Sequence, residues 1–240
     1  MMSMEITPLG DSALIVRVRN QFEDAPEQTL NEVLRALRRI EDARIPGVIE
    51  LAPAYTTVAV FFDPLRVIDD AARVDHVIES LTQKIHEAFS RGGRRKQRDK
   101  GTRLVEIPVC YEAEFALDLE QVSRQTQIDP IEVVDLHRAA QYRVSCIGFT
   151  PGFPFLSGLH KRLATRRRSI PRKEIPVGSV AIAGAQTGIY PMKSPGGWNI
   201  IGRTPLHLFD PQKSPPALLH AGDRVRFRAI TRGEFEALKR

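Results

Sequence analysis

The sequence has little cysteine, a single tryptophan and no long apolar run, and each shortage excludes a class of protein. Two cysteines among 240 residues, Cys110 and Cys146, make neither a disulfide framework nor a CxxC metal site. The six histidines show no HxH or HxxxH spacing, so no metal site is expected in this chain. Cys146 sits in an apolar stretch before Gly148 and reads as a small buried hydrophobe rather than a reactive thiolate. The longest apolar run, Val58 to Phe62, is far short of the roughly 20 residues of a membrane span. No basic region followed by an apolar one marks the N-terminus, so the expectation is a soluble cytoplasmic protein with no membrane partner. Phosphate motifs are missing too. No GxGxxG occurs, and in Gly188 to Ser194 the residue Met192 stands where a P-loop needs glycine.

What is present is an ordinary globular mixture, 42% hydrophobic and 27% charged, with a net charge of +6. A sequence pI near 9.6 raises the question of nucleic acid, so the location of the charge matters. Residues 1–90 hold 9 basic and 15 acidic side chains, whereas segments 91–103 and 161–173 each hold 7 basic side chains and together one acidic. The protein is a mildly acidic body with two basic runs. No aromatic residue interleaves with the first run, which therefore lacks a stacking platform for bases and reads as a solvated linker. No nucleic-acid partner is expected.

That linker divides the chain into an α+β domain over 1–90 and a second domain over 104–240. In the first, Ala13 to Val18 reads as a strand. A helix capped by Asp24 and started by Pro26 carries Leu30, Val33, Leu34, Leu37 and Ile40 on one face and stops at Ile45-Pro46-Gly47. Val48 to Leu51 and Thr56 to Phe62 read as strands around a turn at Pro53, and a second helix follows Asp69-Asp70 with Val74, Val77, Ile78, Leu81 and Ile85 inward. Beyond the linker, Leu104 to Val109 reads as a strand, and Asp118 and Asp129 read as N-caps of helices over 119–127 and 130–140. Residues 147–222 then hold 10 of the 17 prolines and 10 of the 16 glycines. Between these breakers lie short apolar runs: Ser179 to Ala183, Asn199 to Ile201, Leu206 to Phe209 and, just beyond, Arg224 to Ile230, which is the texture of a β-barrel or sandwich.

Three loops in this half stand out as candidates for chemistry. Gly148 to Leu156 sets Phe149, Phe153 and Phe155 among Pro151, Gly152 and Pro154, an aromatic loop held in one shape. Gly184 to Pro191 offers the amide of Gln186, the hydroxyl of Thr187 and the ring of Tyr190. Ser194 to Trp198 places successive N–H groups at Gly196-Gly197, where an anion nest can form. Each loop also has a structural reading, as barrel plug, backbone partner or tight turn. Together they have the composition of a small-molecule pocket. The run Arg166-Arg167-Arg168 suits a solvated loop or an anion grip, and Arg172, between Pro171 and Pro176, is the arginine singled out for a ligand. No pair of nucleophile and base suited to amide hydrolysis is evident, so the catalytic residues remain unassigned.

The same loops carry a resemblance. GFTPGFPFLSGL at 148–159, IPRKEIPVGSVAIAGAQTGIYP at 170–191 and SPGGWNIIGRTPLHLFD at 194–210 closely resemble the PxpB/KipI family, the B subunits of bacterial 5-oxoprolinase, also labelled allophanate hydrolase subunit 1 or carboxyltransferase domain, subdomain C/D. GDSALIV at 10–16, PGVIELAPAY at 46–55, VEIPVCY at 105–111, LHRAAQYRV at 136–144 and PPALLHAGDRVRF at 215–227 extend it over nearly the whole chain. The stretch EAEFAL at 112–117, Ser157 and the linker depart from the family pattern. The resemblance implies a small N-terminal α+β domain, read as ferredoxin-like, and a C-terminal cyclophilin-like β-barrel. It implies a direct partner, the PxpC/KipA-like C subunit, and a further partner, the LamB/YcsF-like A subunit, with ATP as cosubstrate, bound together with a partner. The assembly would open the lactam of 5-oxo-L-proline to L-glutamate; amide resonance makes a lactam a poor electrophile, and O-phosphorylation before hydrolysis is one route. Substrate-binding expectations fall on Phe149, Pro151, Gly152, Phe153, Arg172, Gln186, Thr187, Tyr190, Ser194, Gly196, Gly197, Trp198 and Arg203. The alternatives are a biotin-dependent urea or amide carboxyltransferase component and an inhibitor of a sensor histidine kinase.

Overall fold

A computed structural model describes residues 4–22, 24–67, 76–90 and 102–239. The chain divides into two compact units, residues 1–100 and 101–240. In the first, the elements run β1 (Glu5–Pro8), β2 (Ala13–Arg17), α1 (Pro26–Ala43), β3 (Val48–Ala54), β4 (Thr57–Phe62), α2 (Pro64–Val67) and α3 (Val77–Ser90). The strands pair antiparallel in the order β1-β2-β4-β3. Period-two alternation turns Leu14 and Val16 of β2, and Val58, Val60 and Phe62 of β4, toward one core. Val33, Ala36 and Ile40 of α1 and Leu81 and Ile85 of α3 fill that core from helical faces.

Several local expectations give way here. The N-cap of α1 is Ala25, one residue past Asp24, and Pro26 takes the first helical position, where its missing N–H costs nothing. Pro53 lies inside β3 opposite Val58, and the chain reverses at Tyr55, whose φ is +48°. The polar edge strand β1 has no apolar run to announce it. The described order is β-β-α-β-β-α-α, and β1, the strand beside β2 in the sheet, precedes it in the chain. Asp69, Asp70 and Val74, expected at the start of the second helix, lie outside the described residues, as does the linker apart from 102 and 103.

The second unit runs β5 (Leu104–Cys110), α4 (Leu119–Thr126), α5 (Pro130–Ala139), β6 (Tyr142–Ile147), β7 (Pro154–Ser157), β8 (Arg172–Ile175), β9 (Ser179–Ala183), β10 (Gln186–Ile189), β11 (Ser194–Gly196), β12 (Asn199–Arg203), β13 (Arg224–Ile230) and α6 (Arg232–Leu238). Seven strands close a barrel in the order β6-β13-β5-β12-β9-β10-β7, with β7 returning to β6. The pairings around the barrel are antiparallel except for parallel β13 and β5. This closed barrel fits the cyclophilin-like expectation. Leu206 to Phe209 is not a strand. Leu208 enters the barrel core from a loop, and Phe209 makes a single bridge to Ala217. Among the described residues no helix is long and apolar enough to cross a membrane.

The barrel wall β7-β10-β9-β12 is buried on both faces. Leu156, Val180, Ile182, Ile189 and Ile201 point inward to the barrel core. Their sequence neighbours Phe155, Ala181, Ala183, Tyr190 and Ile200 point outward into a second apolar cluster, joined by Ile175 of β8. The two-stranded ribbon β8-β11 therefore packs on the outer face of the wall. Continuous burial hides these strands from a period-two search, since both faces demand apolar residues.

Candidate functional site

The outer cluster is an aromatic layer on a floor of small residues. Phe153 is its hub, with ring centroids 4.8 Å from Phe155, 5.1 Å from Tyr190 and 5.8 Å from Trp198. Gly188 makes room for it, because a side chain there would come within 2.8 Å of the Phe153 ring. Gly152, at φ +80°, brings the aromatic loop equally close to Phe209. The loop closes on itself through Gly148 N–H to Phe153 O (3.1 Å), Thr150 N–H to Gly148 O (2.8 Å) and Phe153 N–H to Thr150 O (3.0 Å). Phe149, at its tip, is held at φ +68° and remains 64% exposed while its ring meets Phe153 edge-on at 5.6 Å. A phenylalanine kept in the left-handed region and facing water marks a strained tip. Pro151 beside it is exposed.

The other residues expected at the site separate into two groups. Trp198, Tyr190 and Gly196 join Phe153 in this layer, and Gln186 begins β10 opposite Ala183, which faces outward. Burial pushes the Tyr190 hydroxyl pKa up, while the Trp198 backbone N–H and the Arg167 charge oppose that shift. Ser194 is half-buried, with its Oγ turned away from solvent and without a hydrogen-bond partner. Gly196 and Gly197 both have φ outside the positive region, so the left-handed turn of an anion nest is not formed. Gly196 instead gives way to the Tyr190 hydroxyl, and the Gly197 carbonyl accepts the Arg168 N–H at 2.8 Å.

The arginines expected to bind ligand are committed elsewhere. Arg172 grips the buried carboxylate of Asp118 with both nitrogens, at 2.6 and 2.9 Å, and Arg168 joins at 2.5 Å. The same carboxylate accepts the Ile200 N–H at 2.8 Å. This explains why Asp118, in N-cap position before α4, makes no capping bond with its side chain. Arg203 donates to the Val177 carbonyl at 2.7 Å and lies over the Phe235 ring. The cation that does lie on the aromatic layer is Arg167, over Trp198 at 6.0 Å, which sequence reasoning leaves in an undifferentiated run. Phe155 is the other omission.

Thr187 faces into the barrel, where it forms an arrangement that resembles a nucleophile with its base. Its hydroxyl donates to the Ala181 carbonyl at 3.0 Å and so accepts from His137 Nε2 at 3.1 Å, leaving Nδ1 to receive the Tyr111 hydroxyl at 2.8 Å. His137 stacks on Phe227, and its carbonyl receives the Tyr142 hydroxyl. All three polar groups are satisfied. Burial pushes the imidazole pKa down to about 3, so it neither accepts a proton at neutral pH nor reaches a substrate. The network is a pin in the core.

Among the described residues, Lys193, Arg172 and the glycine pair do not converge as a triphosphate site would need. Lys193 pairs with Glu174 at 3.0 Å, Arg172 belongs to Asp118, and the glycine pair lacks nest geometry. Among the described residues no three His, Cys, Asp or Glu side chains gather to hold a metal ion. In the first unit a groove of about 460 Å³ is lined by Arg39, Asp42, Lys84 and Glu87, whose charges balance.

Comparison with known proteins agrees with the family that the loops suggest. The model of the family "Carboxyltransferase domain, subdomain C and D" matches residues 4–219. The 5-oxoprolinase B subunit of Bacillus subtilis (strain 168) is 44% identical over 236 residues, covering 98% of this chain and 96% of the relative. The protein of the same name in Haemophilus influenzae is 36% identical over 224 residues, covering 93% of this chain and 97% of that one. Among solved structures, TTHA0988 superposes with a TM-score of 0.72 at 33% identity over 91% of this chain, which spans only 40% of that longer polypeptide. With identity of this level along nearly its full length, the chain belongs to the family of 5-oxoprolinase B subunits.

Proposed function

We propose that this chain is one component of an ATP-dependent 5-oxoprolinase and supplies half of a site completed by a second protein. The observation that carries the reading is the 44% identity to a 5-oxoprolinase B subunit over 98% of the chain. The outer layer supports it, because apolar rings beside an amide side chain suit a small cyclic amide. Phe149, exposed at the loop tip and backed by the buried Phe153, provides a face for the ring, and Gln186 a donor and an acceptor for the lactam C=O and N–H. The Thr187–His137 pair is sealed in the core and Thr231 beside Glu234 is engaged in a helix cap, which is consistent with chemistry shared with PxpC/KipA-like and LamB/YcsF-like partners. ATP is bound with a partner in this reading, as the family resemblance implies. The carboxyl-transfer and kinase-inhibitor alternatives are not favoured, because the relatives matched along their length carry the oxoprolinase name.

Reconstitution tests the reading. Co-expressed with its PxpC/KipA-like and LamB/YcsF-like partners, the chain is expected to support glutamate and phosphate release that depend on 5-oxoproline, and to be inactive alone. Gln186→Ala in the same complex is expected to lower that rate at least tenfold with assembly intact, the scale of losing one or two hydrogen bonds to the substrate. An assembled complex that leaves 5-oxoproline untouched overturns the function. Wild-type rates in Gln186→Ala overturn the role of that residue.

A further inference from the structure

We propose that Arg167 receives the carboxylate of the ligand, making the outer aromatic layer a site for a small cyclic amide that bears an acid group. The inference rests on the 5-oxoprolinase reading and gives it the residue that selects for charge. Arg167 stands out from the paired arginines by what they hold, and from Arg166 by its place over Trp198. Arg162 pairs with Glu132 at 2.5 Å, and Arg168 and Arg172 share the buried Asp118. Arg203 lies against a carbonyl and the Phe235 ring. Among the described residues no carboxylate is within ion-pair distance of Arg167, whose contact is with the face of Trp198. Stacking fixes the plane of a guanidinium and leaves its row of N–H donors open at the edge, the geometry that takes a carboxylate bidentately. Trp198 packs on the buried Phe153, and Phe153 on the exposed Phe149, so a continuous chain of ring contacts links the cation to the apolar tip. The Asp118 clamp on the next residue holds the segment against that surface. A neutral lactam would use the rings and leave the cation idle. An acidic one uses both.

Trp198 is the chain's one tryptophan, so arrival of a ligand at Arg167 is read directly in its emission. The full chain is titrated with 5-oxo-L-proline and with 5-oxo-L-prolinamide, which has the same ring without the charge. The same pair is compared by KM in the assembled complex. Wild type is expected to prefer the acid at least tenfold. Arg167→Ala is expected to weaken the acid about tenfold to a hundredfold, to leave the amide unchanged, and to raise KM for the acid more than it lowers kcat. Arg167→Lys is expected to restore part of the preference, as a point charge without the fork. Arg166→Ala removes the same charge one residue away and is expected to behave as wild type. An unchanged acid preference in Arg167→Ala overturns the proposal. So does an equal loss in Arg166→Ala, or a wild type that shows no acid preference in either readout. A complex that turns over 5-oxoproline with a normal KM in Arg167→Ala removes Arg167 and leaves the function standing. A chain that binds the acid through Arg167, in a complex that never hydrolyses it, removes the function and leaves the site.

Discussion

The two faces of one barrel wall solve the burial of polar groups in opposite ways. Inside, Tyr111, His137 and Thr187 form a neutral chain in which every donor meets an acceptor and no charge survives at pH 7. Outside, a buried carboxylate, Asp118, gathers two guanidinium groups and a backbone N–H, leaving that cluster with excess positive charge beside a layer of buried aromatic rings. Neutral networks tolerate sealing, because nothing in them needs water. Ion clusters need compensation, and here the excess cation charge is met by solvent, since Arg168 and Arg172 are part-exposed around the buried Asp118. The difference separates a core pin from a working surface.

Removing the carboxylate breaks the outer face most severely. Asp118→Ala would leave Arg168 and Arg172 half-buried without a counter-charge and orphan the Ile200 N–H. Breaking such a cluster costs about 3–5 kcal/mol, expected as a lowered urea midpoint and a red-shifted Trp198 emission as the 166–172 segment lifts. An unfolding free energy within about 0.5 kcal/mol of wild type would show that the cluster adds nothing. Gly188→Ala is the milder disturbance of the same face. Its Cβ would meet the Phe153 ring at 2.8 Å and the Pro154 carbonyl at 3.0 Å, and Phe153 is enclosed by Phe155, Tyr190 and Trp198. Overpacking of this kind costs about 1–3 kcal/mol. Trp198 emission is expected to change while the pH response of the inner network does not, and movement of both would show that the faces are coupled.

How much of this was legible beforehand follows from the range of each interaction. Strands β5, β9, β12 and β13 and helices α4 and α5 announce themselves through local composition, and Asp129 caps α5 as a local rule demands, accepting the Ile131 N–H at 2.8 Å. Gln-Thr-Gly-Ile and Ser-Pro-Gly do not read as strands, since the residues that make β10 and β11 extended are Ala183 and Ile175 on other segments. The aromatic loop, Tyr190 and Trp198 were legible as a group because rings among glycine and proline are unusual wherever they occur. The distinction between Arg167 and Arg172 was not. The two sit in one basic run, and Asp118, some fifty residues upstream, decides which of them is engaged. Thr187 was misjudged by one residue of strand alternation, which turns a side chain from the outer layer to the core.

The smallest effect probes the inner face by titration. The His137 pKa is near 3 in the folded chain and near 6.5 when unfolded, so the unfolded state binds one more proton between those values. Its contribution is therefore complete above about pH 6.5 and is lost as the pH falls toward 3. The expected slope is at most about 1.4 kcal/mol per pH unit, measured by urea unfolding at pH 7.0, 6.0 and 5.0. His137→Gln keeps an amide between Tyr111 and Thr187 but does not titrate, and its stability is expected to fall by about one proton's slope less over the same range. Because the outer layer holds no histidine, Gly188→Ala should keep the wild-type slope. Equal slopes in wild type and His137→Gln would mean that His137 is reached by water, and the division between a neutral inner face and a charged outer one would fail at its centre.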